Sequence, residues 1–112
     1  MGYRILETGR RVVVVFDGKL LAAEGAESAR AFSEALFHHD SVEAVWDIRR
    51  MTGYESAARE AWQSMLWPLR HKIRRVVVVG GRPLVRIGAT TLGLALGIQI
   101  AFQDEVTVGA AP

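Results

Sequence analysis

The chain contains two uninterrupted valine runs, "RVVVVF" at residues 11–16 and "RRVVVVGG" at residues 74–81, and these restrict its fold more than any other feature. Neither alternates with polar residues, which is the pattern of a strand covered on both faces. The first run is therefore expected to be a central strand. Just before it, "YRILE" is another strand candidate, joined to the run across Thr8, Gly9 and Arg10. That connection is short enough for a hairpin, so the first two strands should be antiparallel.

From here the hydrophobic period changes. "DGKL" should turn the chain into a helix from about Ala23 to His39, with Ala29, Phe32 and Leu36 on one stripe. Glu27, Arg30, Glu34 and His38 form the opposite, solvated stripe. "VEAVWDI" is the next strand, and a helix from about Ser56 places Ala58, Trp62, Met65 and Leu69 along one side. Pro68 cannot donate to the carbonyl of Ser64 and should kink or stop that helix. Pro83 is placed to open a third helix and Gly97 to close it, before a last strand, "IQIAF".

The resulting order, ββαβαβαβ, predicts an α/β fold with a mixed, mostly parallel sheet of about five strands and covering helices. We expect one domain over residues 1–105 and a tail over residues 106–112. Half of the 112 residues are apolar, enough for a packed core. With no cysteine there is no disulfide framework and no thiolate chemistry, which fits a reducing, cytoplasmic setting. The amino-terminal residues lack the basic-then-apolar pattern of a secretory signal. The stretch between Arg86 and Asp104 is uncharged, but its glycine, threonine and glutamine fit a buried helix and strand better than a stable membrane insertion. The net charge of +2 is spread among interleaved acids and bases, so no nucleic-acid partner is implied. Three histidines without a convergent third ligand imply neither metal nor other cofactor.

Ligands and partners of such sheets meet the carboxyl ends of the strands. Those ends carry Asp17 and Gly18, then Asp47 to Met51, then Gly80 to Arg82. Thr52 and Glu55 have the spacing of a capping box, which would start the second helix at Gly53 and put Ser56 in its first turn. Gly53 is expected to be a turn residue. Phosphate on Ser56 would suit a helix start and could draw on Arg49, Arg50 or Arg59, with Glu55 opposing it. Arg82 and Arg86 fall near the same rim, where a group of guanidinium side chains could hold an acidic partner or an anion.

"FDGKL" after the second strand and "WDIRRMTGYESAA" across the third strand and second helix resemble the STAS domains of bacterial anti-sigma-factor antagonists. The resemblance covers residues 3–105. It implies that Asp47 matches the aspartate of the family's third strand, that Glu55 stands for its loop aspartate and that Ser56 falls on its phosphoacceptor serine. Ala57 and Ala58 depart from the serine and glycine that follow there, and Leu21 replaces an acid after the second strand. The closing "GIQIAFQDE" is similar to the end of the SpoIIAA-like branch.

The resemblance implies a non-catalytic regulator that binds an anti-sigma factor, a kinase or another signalling protein. Its partner site would comprise Arg49, Arg50, Glu55, Arg59, Arg82 and Arg86, with Ser56 the candidate phosphoacceptor. A second reading is a module that holds a small anionic or lipid-like ligand between this rim and the third helix. An enzyme fits least, because no histidine near Ser56, carboxylate pair or nucleotide fingerprint stands out. The outermost strand and the leucines at 92, 94 and 96, which cannot all face one side, leave room for self-association.

Overall fold

The computed structural model describes residues 2–104. Its strands are β1 (Tyr3–Thr8), β2 (Arg11–Leu20), β3 (Val42–Tyr54), β4 (Ile73–Val79) and β5 (Ile100–Gln103). Between them lie α1 (Ala22–Leu36), α2 (Ser56–Leu66), a short 3-10 helix (Trp67–Lys72) and α3 (Pro83–Leu96). The strands lie side by side in chain order, β1 antiparallel to β2 and every later pair parallel. Thr8 pairs with Arg11 across a two-residue turn, whose first position, Gly9, has a φ of 60°. That is a conformation the hairpin turn asks of its first central residue and glycine supplies.

Proline and glycine set the helix limits as their backbone chemistry requires. α2 stops at Leu66, and Pro68 opens the 3-10 helix in its place. Pro83 begins α3, and Gly97 ends it in the left-handed conformation. The N–H groups of Gly97 and Ile98 return to the carbonyls of Leu94 and Gly93, which closes the last turn as a Schellman motif.

All three α-helices send their buried side chains to one face of the sheet, where Phe32, Trp46 and Trp62 form the aromatic centre of the core. The Trp46 and Trp62 rings meet edge to face at 5.5 Å, and Phe16 meets Trp62 at 5.6 Å. The Trp62 indole N–H donates to the Ser28 hydroxyl, which donates in turn to the Gly25 carbonyl. Gly25 is there because α1 and α2 touch backbone to backbone: a Cβ on it would collide with Ala58.

The valine runs are not both dry on two faces as their pattern suggests: in β2, Val13 and Val15 stay partly exposed. Val12, Val14, Val76 and Val78 join the helix-covered core, whereas Val13, Val45, Val77 and Val79 pack on one another as a second cluster made only of strand side chains. The central strand is β3 rather than β2. Two further expectations are corrected. β2 continues to Leu20 through two register shifts, with Gly18 at a φ of 78°, and β3 continues to Tyr54 instead of ending near Ile48. Pairing between these extensions keeps Thr52 and Gly53 in a strand, so the helix begins at Ser56 and the predicted capping box and glycine turn do not form.

Candidate functional site

The long β2–β3 pairing delivers the chain to the carboxyl rim, where Glu55 is held by two hydrogen bonds. Its backbone N–H donates to the Leu20 carbonyl at 2.9 Å, and its carboxylate accepts from the Ala22 N–H at 2.7 Å. Ala22 opens α1 and Glu55 immediately precedes α2, so this carboxylate satisfies a first-turn donor of the helix that neighbours its own. Ser56 is thereby fixed as the first residue of α2, with its side chain in solvent. Ala57 is also exposed, but Ala58 is completely buried against Gly25, a position that admits only a small side chain.

The six predicted partner-site residues share the rim but do not form one patch. Arg49 folds back onto the buried Asp47, donating from Nε and Nη2 to its two carboxylate oxygens at 3.0 and 2.8 Å. Its side chain passes over Gly80, where a Cβ would strike it and where φ is 69°. Arg86 lies against Gly81 and places its guanidinium 4.4 Å from the Phe102 ring centre. Arg50 is 74% exposed and meets Asp17 only loosely, at 3.5 Å. Arg82, the residue before α3, is exposed as well. Arg59 is half-buried with part of its side chain lining a cleft, and Glu55 is committed to Ala22. Of these residues and Ser56, those exposed to solvent are Arg49, Arg50, Glu55, Ser56 and Arg82, Arg49 with its guanidinium on Asp47 and Glu55 with its carboxylate on Ala22.

The cleft itself is the feature sequence reasoning did not locate by residue. It opens between α2, α3 and the ends of β2 and β3, holds a cavity of about 60 Å³, and is walled chiefly by Ile48, Met51, Trp62, Val85 and Leu92. Gly88 of α3 lets the helix approach Tyr54, whose ring occupies the space a Cβ would need. The only sequence signal was the spacing of Val85, Gly88 and Leu92 on one side of a helix whose one charge is Arg86.

A second charged site lies at the opposite end of the strands. Glu43 accepts from Arg11 through one carboxylate oxygen and from Arg75 through the other, at 3.0 and 2.7 Å, in a ladder across β2, β3 and β4. Burial raises the pKa of Glu43, but the hydrogen bonds from Arg75 and Arg11 outweigh it and hold the carboxyl below its ordinary value.

Among the described residues, no three histidine, aspartate or glutamate side chains converge to hold a metal, and no hydrogen bond activates the Ser56 hydroxyl. No described helix is long and apolar enough to cross a membrane.

A mixed five-stranded sheet with crossover helices packed on one face and a serine opening the second helix defines a STAS-like α/β domain. The SpoIIAA-like family model matches residues 11–111, and the chain belongs to that family. A Shewanella loihica PV-4 protein with a SpoIIAA-like fold superposes with a TM-score of 0.72 at 14% identity, over 96% of this chain and 89% of the other. The anti-sigma factor antagonist SpoIIAA in its unphosphorylated form gives 0.68 at 15% identity, over 96% and 93%. The Bacillus cell fate determinant SpoIIAA in its phosphorylated form gives 0.67 at 16%, over 96% of each chain. No curated protein matches.

Proposed function

We propose that this protein is a non-catalytic regulatory domain that docks a signalling protein, such as an anti-sigma factor or a kinase, on the exposed rim formed by Arg50, Ser56 and Arg82. The observation that carries the reading is the placement of Ser56. It is exposed at the first position of α2, and the one acid beside it has its carboxylate turned onto Ala22. A helix start favours negative charge, so phosphate on Ser56 would be accommodated by the backbone and would alter the charge that a partner meets on this rim. The likeness to SpoIIAA, whose structure exists in unphosphorylated and phosphorylated forms, supports a switch of this kind. The absence of a base on Ser56 among the described residues favours a docking surface over a nucleophile.

The test is affinity capture from the native cell with wild type, Arg50→Glu and Ser56→Asp, each assayed for bound proteins and for phosphate on Ser56. A protein retained by wild type and lost by Arg50→Glu, at unchanged melting temperature, is the expected result. Capture insensitive to both substitutions would reject the rim as the docking site.

A further inference from the structure

The outer face of α3 is apolar from its first turn to its last. Leu84, Ile87 and Leu94 are 76%, 58% and 78% exposed, whereas Leu92 and Leu96 are the leucines that enter the core. Thr90 and Thr91, exposed on the same face, donate their hydroxyls back to the carbonyls of Arg86 and Ile87, so the helix itself takes up those donors. Arg86, the one charged residue of α3, is partly buried and set against Phe102. A solvated helix presents charge on its outer face, as α1 does with Glu27, Arg30 and Glu34. A row of large apolar side chains without charge is instead the mark of an interface.

Spacing and charge together select the occupant. Positions 84, 87, 91 and 94 follow one another at intervals of three, four and three, the seam that one helix offers to another. Those intervals read the same in both directions, so the seam fits a reversed copy of itself, with Leu84 facing Leu94 of the second copy and Ile87 facing its Thr91. Arg82, exposed immediately before α3, would then fall beside the carboxyl end of the second α3, where the helix dipole favours a cation. A parallel pair would instead bring two arginines and two helix starts together. We propose that two copies of this chain pair through α3, antiparallel, along Leu84, Ile87, Thr91 and Leu94. A seam of about three turns falls short of the roughly 800 Å² per partner of a standard interface, so the dimer is weak and exchanging. It uses neither Arg50 nor Ser56 and needs no signalling protein, so it stands or falls independently of docking on the rim.

Sedimentation equilibrium of the full chain from about 10 µM to about 1 mM, the range in which so small an interface dissociates, is expected to show monomer and dimer in exchange. Leu94→Glu, which by symmetry puts two unpaired carboxylates into the seam, should weaken the dimer at least about a hundredfold, with the melting temperature of the dilute protein unchanged. Thr91→Leu adds two apolar side chains to the seam and should tighten it about tenfold. The chain has no cysteine, so oxidation reads the orientation. An equimolar mixture of Leu84→Cys and Leu94→Cys should join unlike chains, while Leu84→Cys alone stays unlinked. A monomer at every concentration, a dimer indifferent to either Leu94→Glu or Thr91→Leu, or self-linking of Leu84→Cys overturns the proposal. So does a protein that remains monomeric yet binds vesicles of phosphatidylglycerol.

Discussion

The Glu55 carboxylate accepts a hydrogen bond from the Ala22 backbone N–H at 2.7 Å, joining the starts of two helices that lie 33 residues apart in the chain. Neither helix has a side-chain cap of its own at its preceding residue, Leu21 or Glu55. The carboxylate thus does for α1 what a serine or aspartate before it would do. Glu55→Ala is expected to lower stability by about 1 kcal/mol. Glu55→Gln, which keeps an acceptor oxygen, should lose less. Urea unfolding of the three proteins measures the order, and equal midpoints would show that the bond contributes nothing.

Much of the fold was legible because its signals are local. Pro68, Pro83 and Gly97 act through their own backbone limits, so the stop of α2 and both ends of α3 could be read directly. The hairpin at Gly9 was legible in the same way, although Thr8 belongs to the strand and the turn is two residues instead of three. What could not be read depends on pairing between distant segments. Thr52 and Gly53 look like a helix entry in isolation, but Lys19 and Leu20 pair with Gly53 and Tyr54 and hold them in a strand. The valine runs misled in a similar way, because an apolar run does not say what covers each face: helices cover Val12 and Val14, while Val13 and Val15 on the other face stay partly exposed. The rim was legible as a place and not as a patch. Nothing in the spacing of Arg49 and Arg50 tells that one lies on Asp47 and the other in solvent. Trp46 lies in the core with its indole N–H unpaired, while Ser28 serves Trp62 instead, and neither fact can be read from the sequence.

Gly25 offers a packing prediction. Alanine has the better helix propensity by about 1 kcal/mol, yet the added Cβ would meet Ala58. Both residues are backbone-fixed on packed helices, so neither yields cheaply. Gly25→Ala is expected to destabilise by about 1–3 kcal/mol despite its propensity, as read by thermal unfolding. A stabilised variant would show that α1 and α2 separate freely.

The ladder of Arg11, Glu43 and Arg75 predicts an acid limb in the stability curve. The pKa of Glu43 in the folded chain lies below its ordinary value of 4.5. The carboxylate therefore contributes its full stabilisation above that value, and the contribution is lost as pH falls through the lower folded value. Glu43→Gln should cost about 1 kcal/mol at neutral pH and flatten the decline in stability below pH 4.5. Because Arg11 and Arg75 are both partly exposed, salt should reduce the effect. Parallel acid limbs in the two proteins would remove Glu43 as the titrating group.

Ser28 tests the order of the core. Its hydroxyl is fully buried, accepts from Trp62 at 3.0 Å and donates to the Gly25 carbonyl at 3.1 Å. Ser28→Ala removes only one oxygen but leaves a second indole N–H beside the cleft without an acceptor, in addition to that of Trp46. The expected loss is about 1–3 kcal/mol, the cost of stranding a buried donor. Tryptophan emission should shift as well, because Trp62 packs on Phe16, Phe32 and Trp46. Ser28→Cys keeps a weak acceptor in nearly the same volume and should recover part of the loss, which separates the hydrogen bond from simple cavity formation. If alanine and cysteine unfold at the same denaturant concentration, Ser28 is a spacer and the Trp62 N–H has no energetic need of it.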